Sequence, residues 1–174
     1  MKHTLETQDS HFETVLDILS QSFPLEERRD KDCFITVMEE DCFYPCYYQI
    51  GEKVVAILFY WRFKELCYIE HFAVGKKFRG SGIGESILQQ FIDEMDIPIV
   101  LEVEKPIDMN HWRRISFYER NGFYLLKQGY LQPAYRLGDK KVMLSLMSYP
   151  LPLDNSLINE FVTKYHPIIY PILE

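Results

Sequence analysis

The residues best suited to chemistry crowd into one stretch, Tyr68 to Ile92, which reads YIEHFAVGKKFRGSGIGESILQQFI. Gly75, Gly80, Gly82 and Gly84 are interleaved with Lys76, Lys77 and Arg79. Then Ile83, Ile87, Leu88, Phe91 and Ile92 recur at helical spacing. A helix that opens at such a turn has unpaired N–H groups and the positive end of its dipole, and together these hold phosphate oxygens. The apolar segment before the turn, Leu66 to Val74, reads as a buried strand. Alternation puts Tyr68, Glu70, Phe72 and Val74 on one face and Ile69, His71 and Ala73 on the other. Glu70 is thus a carboxylate in an apolar strand. If poorly paired, it has a raised pKa that suits a base near neutral pH; the alternative is a structural Glu bonded to backbone or Arg. His71 and Cys67 point away from that face, so His71 reads as a packed core histidine and Cys67 is not placed as a nucleophile. On the next expected strand, Glu102 and Glu104 share a face and offer an amine contact, an auxiliary base or a structural role.

The spacing separates the turn from two common phosphate loops. Gly75 to Gly80 has the gap of GxxxxGK[ST], but Ser81 and Gly82 stand where Lys and Ser/Thr belong. Gly80, Gly82 and Gly84 alternate, which does not fit GxGxxG. The stretch resembles instead the acyl-CoA loop of the GNAT superfamily of N-acyltransferases, [QR]-x-x-G-x-[GA] after an apolar-Ala-Val triplet. Here that is Arg79-Gly80-Ser81-Gly82-Ile83-Gly84 after Phe72-Ala73-Val74. A second stretch, Arg113 to Phe123 (RRISFYERNGF), resembles the other recurring element of that superfamily, N-x-x-A-x-x-F-Y-x-x-x-G-F. It departs at His111 and Arg114, where many members carry Asn and Ala; Asn110 precedes the first of these.

The resemblance implies a single-domain α+β fold whose central, mixed, mostly antiparallel sheet is flanked by helices. A cleft splits that sheet between the strands of Tyr68 and Leu101. The implied function is acetyl-CoA-dependent acetylation of a primary amine, on a small molecule or a peptide, by direct attack and without a metal. Phe72, Ala73 and Val74 would pair through their backbone with the pantetheine arm. Arg79, Gly80, Ser81, Gly82, Ile83 and Gly84 would hold the pyrophosphate. The positions where family members carry the base, or a residue that orders a water acting as one, are Glu70 and Tyr68, of which Glu70 is taken as the base; Tyr118 would protonate the leaving thiolate. Phe23, Glu26 and Arg29 lie where family members often build the acceptor wall, against the simpler reading of a solvated linker. A non-catalytic module that senses acyl-CoA is the alternative function.

These residues need elements to hold them. Lys2 to Glu6 reads as an edge strand. A helix capped by Ser10 and Glu13 runs to about Phe23 and breaks at Pro24, and a second helix covers Asp30 to Glu40. Tyr47 to Ile50 and Val54 to Trp61 form a hairpin over Gly51-Glu52. After the glycine-turn helix come a strand from Ile99 to Val103 and a helix from Trp112 to Arg120, ended by Asn121-Gly122. Strands follow at Phe123 to Lys127 and Lys141 to Ser148, with a long connection from Gly129 to Asp139. The acetyltransferase domain is expected over residues 1–150. In the tail, 151–174, Asp154 or Asn155 caps a helix stopped by Pro167; it would pack on the domain or across a homodimer.

The chain of 174 residues is 47% hydrophobic and 15% aromatic, enough for one well-filled core and too short for two ordinary domains. A net charge of -7 argues against general nucleic-acid binding and leans toward cationic substrates such as amines. Cys33, Cys42, Cys46 and Cys67 form no metal-ligand spacing and read as free thiols of a reducing compartment. A polar N-terminus and the lack of a long apolar run lead to the expectation of a soluble, cytoplasmic protein without a membrane partner.

Overall fold

A computed structural model describes residues 1–136 and 138–171, with the side chains of all of these except residues 127 and 128. Seven strands form one sheet in the order β1-β2-β3-β4-β5-β7-β6. They are β1 (Lys2–Thr4), β2 (Phe43–Ile50), β3 (Lys53–Arg62), β4 (Cys67–Val74), β5 (Ile99–Glu104), β6 (Tyr124–Gln132) and β7 (Val142–Tyr149). Every neighbouring pair is antiparallel except β4 and β5, which are parallel. The α+β fold with a mixed, mostly antiparallel sheet is therefore as expected.

Helices cover both faces. On one face α1 (Phe12–Ser22) buries Phe12, Val15 and Leu19, and α2 (Lys31–Val37) buries Cys33, Phe34 and Val37. These side chains meet Phe43, Phe59 and Trp61 of β2 and β3 in one cluster. On the other face α3 (Ile83–Glu94) inserts Ile87, Leu88, Phe91 and Ile92, and α4 (Met109–Arg120) inserts Ile115 and Tyr118. Each apolar side chain buried this way contributes roughly 1.5–3 kcal/mol, which fixes which helix face turns inward.

The termini of several elements differ from expectation, for local reasons. Ser10 does not cap α1; Asp9 does the work, its Oδ1 accepting from the His11 amide at 2.8 Å and its carbonyl from the Phe12 amide at 3.0 Å. β2 starts at Phe43 rather than Tyr47 and tolerates Pro45. The Pro45 carbonyl accepts from the Leu5 amide at 2.7 Å, so the position of its missing N–H faces the edge, where no partner strand needs it. β6 continues through residues expected to be a connection, because a register shift between Leu125 and Gly129 lets Gly129 to Gln132 resume pairing with β7. Leu137 of that connection lies outside the described residues.

The C-terminal segment is part of this fold. Asp154 caps α5 (Asn155–Glu160), accepting from the Leu157 amide at 2.8 Å. The chain then continues through a wide turn at Phe161–Tyr165 into α6 (His166–Ile169). Pro167 does not stop the helix. It sits in the first turn of α6, where a missing N–H leaves no bond unmade. Phe161, Tyr165, Ile169 and Tyr170 are buried in the cluster under α1 and α2. Residues 172–174 of the expected tail lie outside the described residues. Among the described residues no helix is long and apolar enough to cross a membrane.

Candidate active site

The site begins where the sheet comes apart. β4 and β5 pair through Cys67–Ile99, Tyr68–Val100 and Ile69–Leu101, and there the pairing ends. From Glu70 and Glu102 onward the two strands diverge. The gap forms a cleft of about 930 Å³ lined by Ile69 to Val74 except His71, by Leu101 and Glu102, by the glycine turn, and by the α4 face carrying Asn110, Arg113, Phe117 and Tyr118. Gln21, Ser22 and Phe23, at the end of α1, complete the wall.

A register shift sits at the branch point. Phe59 pairs with His71, but Tyr60 pairs with Ile69, so Glu70 is the extra residue of a bulge in β4. One inserted residue reverses the alternation beyond it. Tyr68 and Ala73 accordingly pack in the cluster under α1 and α2, whereas Cys67, Ile69, Phe72 and Val74 pack toward α3 and α4. The expectation that Tyr68, Glu70, Phe72 and Val74 share one face is corrected on this point.

The bulge also decides what Glu70 offers. Its side chain has 0% exposure, so the surface it presents to the cleft is backbone. The carboxylate is paired with Arg29, itself 2% exposed, and accepts from Trp61 Nε1 at 3.0 Å. Burial alone would lift its pKa; the Arg29 guanidinium reverses that and holds it below the usual carboxylate range. The expected poorly paired carboxylate of raised pKa is not found at Glu70.

That description fits Glu102 instead. Glu102 faces the cleft, accepts from the Tyr68 hydroxyl at 2.8 Å and from Gln132 Nε2, and has no cation within pairing distance among the described residues. Burial lifts it to about 7 despite those hydrogen bonds. Glu104, two residues on, pairs with Arg114 across the start of α4. Tyr118 is 7% exposed and lines the cleft on the α4 side. Burial pushes its hydroxyl up to about 12, so it keeps its proton throughout the neutral range.

The glycine turn closes the opposite wall. Gly80 and Gly82 have φ of 76° and 79°, a left-handed conformation that favours glycine, and Gly82 is the N-cap of α3. Gly84 lies so close to β4 that an added Cβ would sit 3.1 Å from Val74 Cγ2. Arg79 Nε donates to the Val74 carbonyl at 2.9 Å, which ties the turn to the strand end. Phe72, Ala73, Val74, Arg79, Gly80, Gly82 and Gly84 line the cleft. Ser81 and Ile83 do not; the Ser81 hydroxyl donates instead to the Phe78 carbonyl at 2.6 Å. Backbone donors, a helix N-terminus and close approach by glycine suit the diphosphate of a coenzyme A thioester.

His71 is a core residue, 3% exposed, with Nε2 2.9 Å from the Glu27 carbonyl and its ring against Phe23. Phe23 lines the cleft, Glu26 is exposed and Arg29 is buried. Sequence reasoning missed Gln132 and Tyr170, which meet Glu102 from β6 and from the C-terminal segment. No periodicity marks either residue, and only the folded chain brings them together.

Residues 31–125 match the family profile described as an acetyltransferase (GNAT) domain. The chain is 30% identical to the Bacillus subtilis protein YjbC over 108 residues, 60% of this chain and 54% of that one, so it spans about half the length of this relative. A GNAT-family protein of Bacteroides thetaiotaomicron superposes with a TM-score of 0.89, at 32% identity and 99% coverage of both chains. A GNAT-family acetyltransferase of Elizabethkingia anophelis with acetyl-CoA bound superposes with a TM-score of 0.62, at 14% identity, covering 87% of this chain and 97% of that one; it shares the fold.

Proposed function

This chain belongs to the GNAT acetyltransferase family, and on that premise we propose that it transfers the acetyl group of acetyl-CoA to a primary amine of a small molecule or peptide. The observation that carries the reading is the presence of two groups of complementary proton chemistry in the lining of one cleft. Glu102 can take up a proton near neutral pH, and Tyr118 holds one throughout that range.

The donor thioester would lie between β4 and β5, its diphosphate against the glycine turn and its carbonyl near the exposed backbone of the Glu70 bulge. Glu102 accepts a proton from the acceptor ammonium. The freed nitrogen lone pair attacks the thioester carbonyl, so a C–N bond forms and the C–S bond breaks. As the C–S bond breaks, the nitrogen sheds its second proton to solvent. Tyr118 gives its proton to the departing sulfur and recovers one from solvent, and Glu102 releases the proton it took up. Glu70 acts as a fixed, ionised partner of Arg29 that shapes the bulge, and no covalent enzyme intermediate is required.

Calorimetric titration with acetyl-CoA, with ATP as control, tests the donor site. Thiol release with a panel of primary amines tests the transfer. Binding of acetyl-CoA with no release from any amine would replace the enzyme by the sensing module. No binding would remove both.

A further inference from the structure

The segment just after α6 meets the carboxylate of Glu102. Tyr170 follows α6 and is 6% exposed. Its hydroxyl lies 3.1 Å from the Tyr68 hydroxyl, 3.1 Å from Gln132 Nε2 and 3.5 Å from each Glu102 oxygen. Tyr68 and Gln132 make the shorter hydrogen bonds to Glu102 Oε2, at 2.8 Å and 2.5 Å, beside the longer one from Tyr170 itself. Arg29 fixes the segment: one guanidinium nitrogen donates to the Ile169 carbonyl while another holds Glu70, and the group lies 4.8 Å from the Tyr135 ring centre.

A tyrosine kept only for its ring would leave its hydroxyl wherever packing put it. Here the hydroxyl touches both groups that orient Glu102. The second polar atom of the Gln132 amide, Oε1, is buried without a hydrogen-bond partner among the described residues. The amide is therefore anchored through Nε2 alone, by Glu102 and Tyr170. Remove the Tyr170 hydroxyl, and Gln132 and Tyr68 each lose one of the contacts that aim them.

We propose that Tyr170 is a positioning residue: through Tyr68 and Gln132 it fixes the orientation and the proton affinity of Glu102, so the C-terminal segment completes the active site. The kinetic part of this inference rests on the reading of Glu102 as the base. The groups facing Glu102 are Tyr68 and Glu70 of β4, Tyr130 and Gln132 of β6, Tyr135 beyond it, and Tyr170. Arg29 is committed to Glu70, and His166, bonded to Tyr130, is pushed down to about 4 by burial and is neutral at working pH. Hydrogen-bond donors favour the ionised carboxylate, so their loss raises its proton affinity.

The test is Tyr170→Phe, which keeps the ring, with Gln132→Met as the second variant. The Glu102 carboxyl is titrated by 13C NMR, and the pH–rate profile is recorded with acetyl-CoA and an accepted amine. Both variants should move the midpoint upward by about one pH unit, the size of one hydrogen bond to an ionised group. KM for acetyl-CoA should not change. Tyr165→Phe is the control, since Tyr165 lies in the same segment, stacked on Phe63 at 4.1 Å and without a contact to Glu102. An unmoved NMR midpoint in Tyr170→Phe, or an equal shift in Tyr165→Phe, overturns the proposal. If the NMR midpoint moves while Glu102→Gln keeps the acid limb of the rate, the positioning role stands and the assignment of Glu102 as base falls.

Discussion

Arg29 and Glu70 neutralise each other inside the protein, with side-chain exposures of 2% and 0%. The arginine stands just before α2 and the glutamate in the bulge of β4, so the pair ties the first helical layer to the point where the sheet opens. Trp61 extends this contact, its Nε1 donating to Glu70 and its ring lying 5.6 Å from the guanidinium. The same arginine reaches the Ile169 carbonyl. One guanidinium therefore holds three parts of the chain together behind the bulge of β4.

Removing one member of such a pair leaves a buried charge without compensation, which costs about 3–5 kcal/mol. Arg29→Met should lower the unfolding free energy by that amount in urea denaturation. Arg29→Met with Glu70→Gln should recover a large part of the loss, since the double variant buries no charge. If the single variant matches wild type, the pair does not hold these segments together.

The glycine turn makes a separate prediction. Gly82 has φ of 79° and open space around its Cα, so a side chain there meets no atom but forces a left-handed backbone. That conformation costs an L-residue about 1–2 kcal/mol, and more for a β-branched one. Gly82→Val should relax into another turn, redirect the N–H groups that start α3 and weaken acetyl-CoA binding at least about tenfold. The melting temperature should change little, because the turn is exposed. Unchanged calorimetric affinity would remove the turn from the donor site.

The parts of this architecture legible in the sequence are those encoded by local repetition. Ile87, Leu88, Phe91 and Ile92 announce α3, and the alternating glycines before it announce the turn. The divergence between β4 and β5 follows from the family pattern on both sides of it. Strict alternation, by contrast, places the Glu70 carboxylate on the cleft wall, and the bulge turns it into the core. Nothing in YIEHFAV marks an inserted residue, because the register is set by pairing with Phe59 and Tyr60 across the sheet. Gln132 and Tyr170 were hidden for a related reason. Gln132 ends β6 and Tyr170 follows α6, and the role of each exists only through contacts with Glu102, 30 and 68 positions away.

Tyr118 supplies the third prediction. Its hydroxyl, pushed up to about 12 by burial, keeps its proton at neutral pH, and the residue lines the same cleft as Glu102. Tyr118→Phe keeps the ring contacts with Phe117 and Phe123. It should lower kcat by about 100-fold, at the lower end of what a positioned acid contributes, with KM for acetyl-CoA nearly unchanged. Equal kcat would remove Tyr118 from the proton path.

Glu102 should leave a signature in stability as well as in rate. Its pKa is lifted from 4.5 to about 7 in the folded chain, so between those values the native state holds a proton that the unfolded state has released. Stability from this carboxyl is therefore greatest below about pH 4.5 and is lost as pH rises through about 7. The full effect is somewhat over 3 kcal/mol, at about 1.36 kcal/mol per unit. His71 and His166 act in the opposite sense at lower pH. Burial depresses both, so the unfolded chain takes up their protons first, and stability rises as pH climbs toward their ordinary values. The raw pH–stability curve mixes these contributions with that of Glu27, whose carboxyl burial also lifts to about 7. The difference between Glu102→Gln and wild type isolates one carboxyl, because Glu27 and the histidines are common to both proteins. That difference should be smallest near pH 4.5 and grow in favour of the variant up to about pH 8, measured by urea denaturation at each pH. A difference that stays flat across this range would mean that Glu102 is ionised in the folded protein well below neutrality, and its assignment as the base would fail with it.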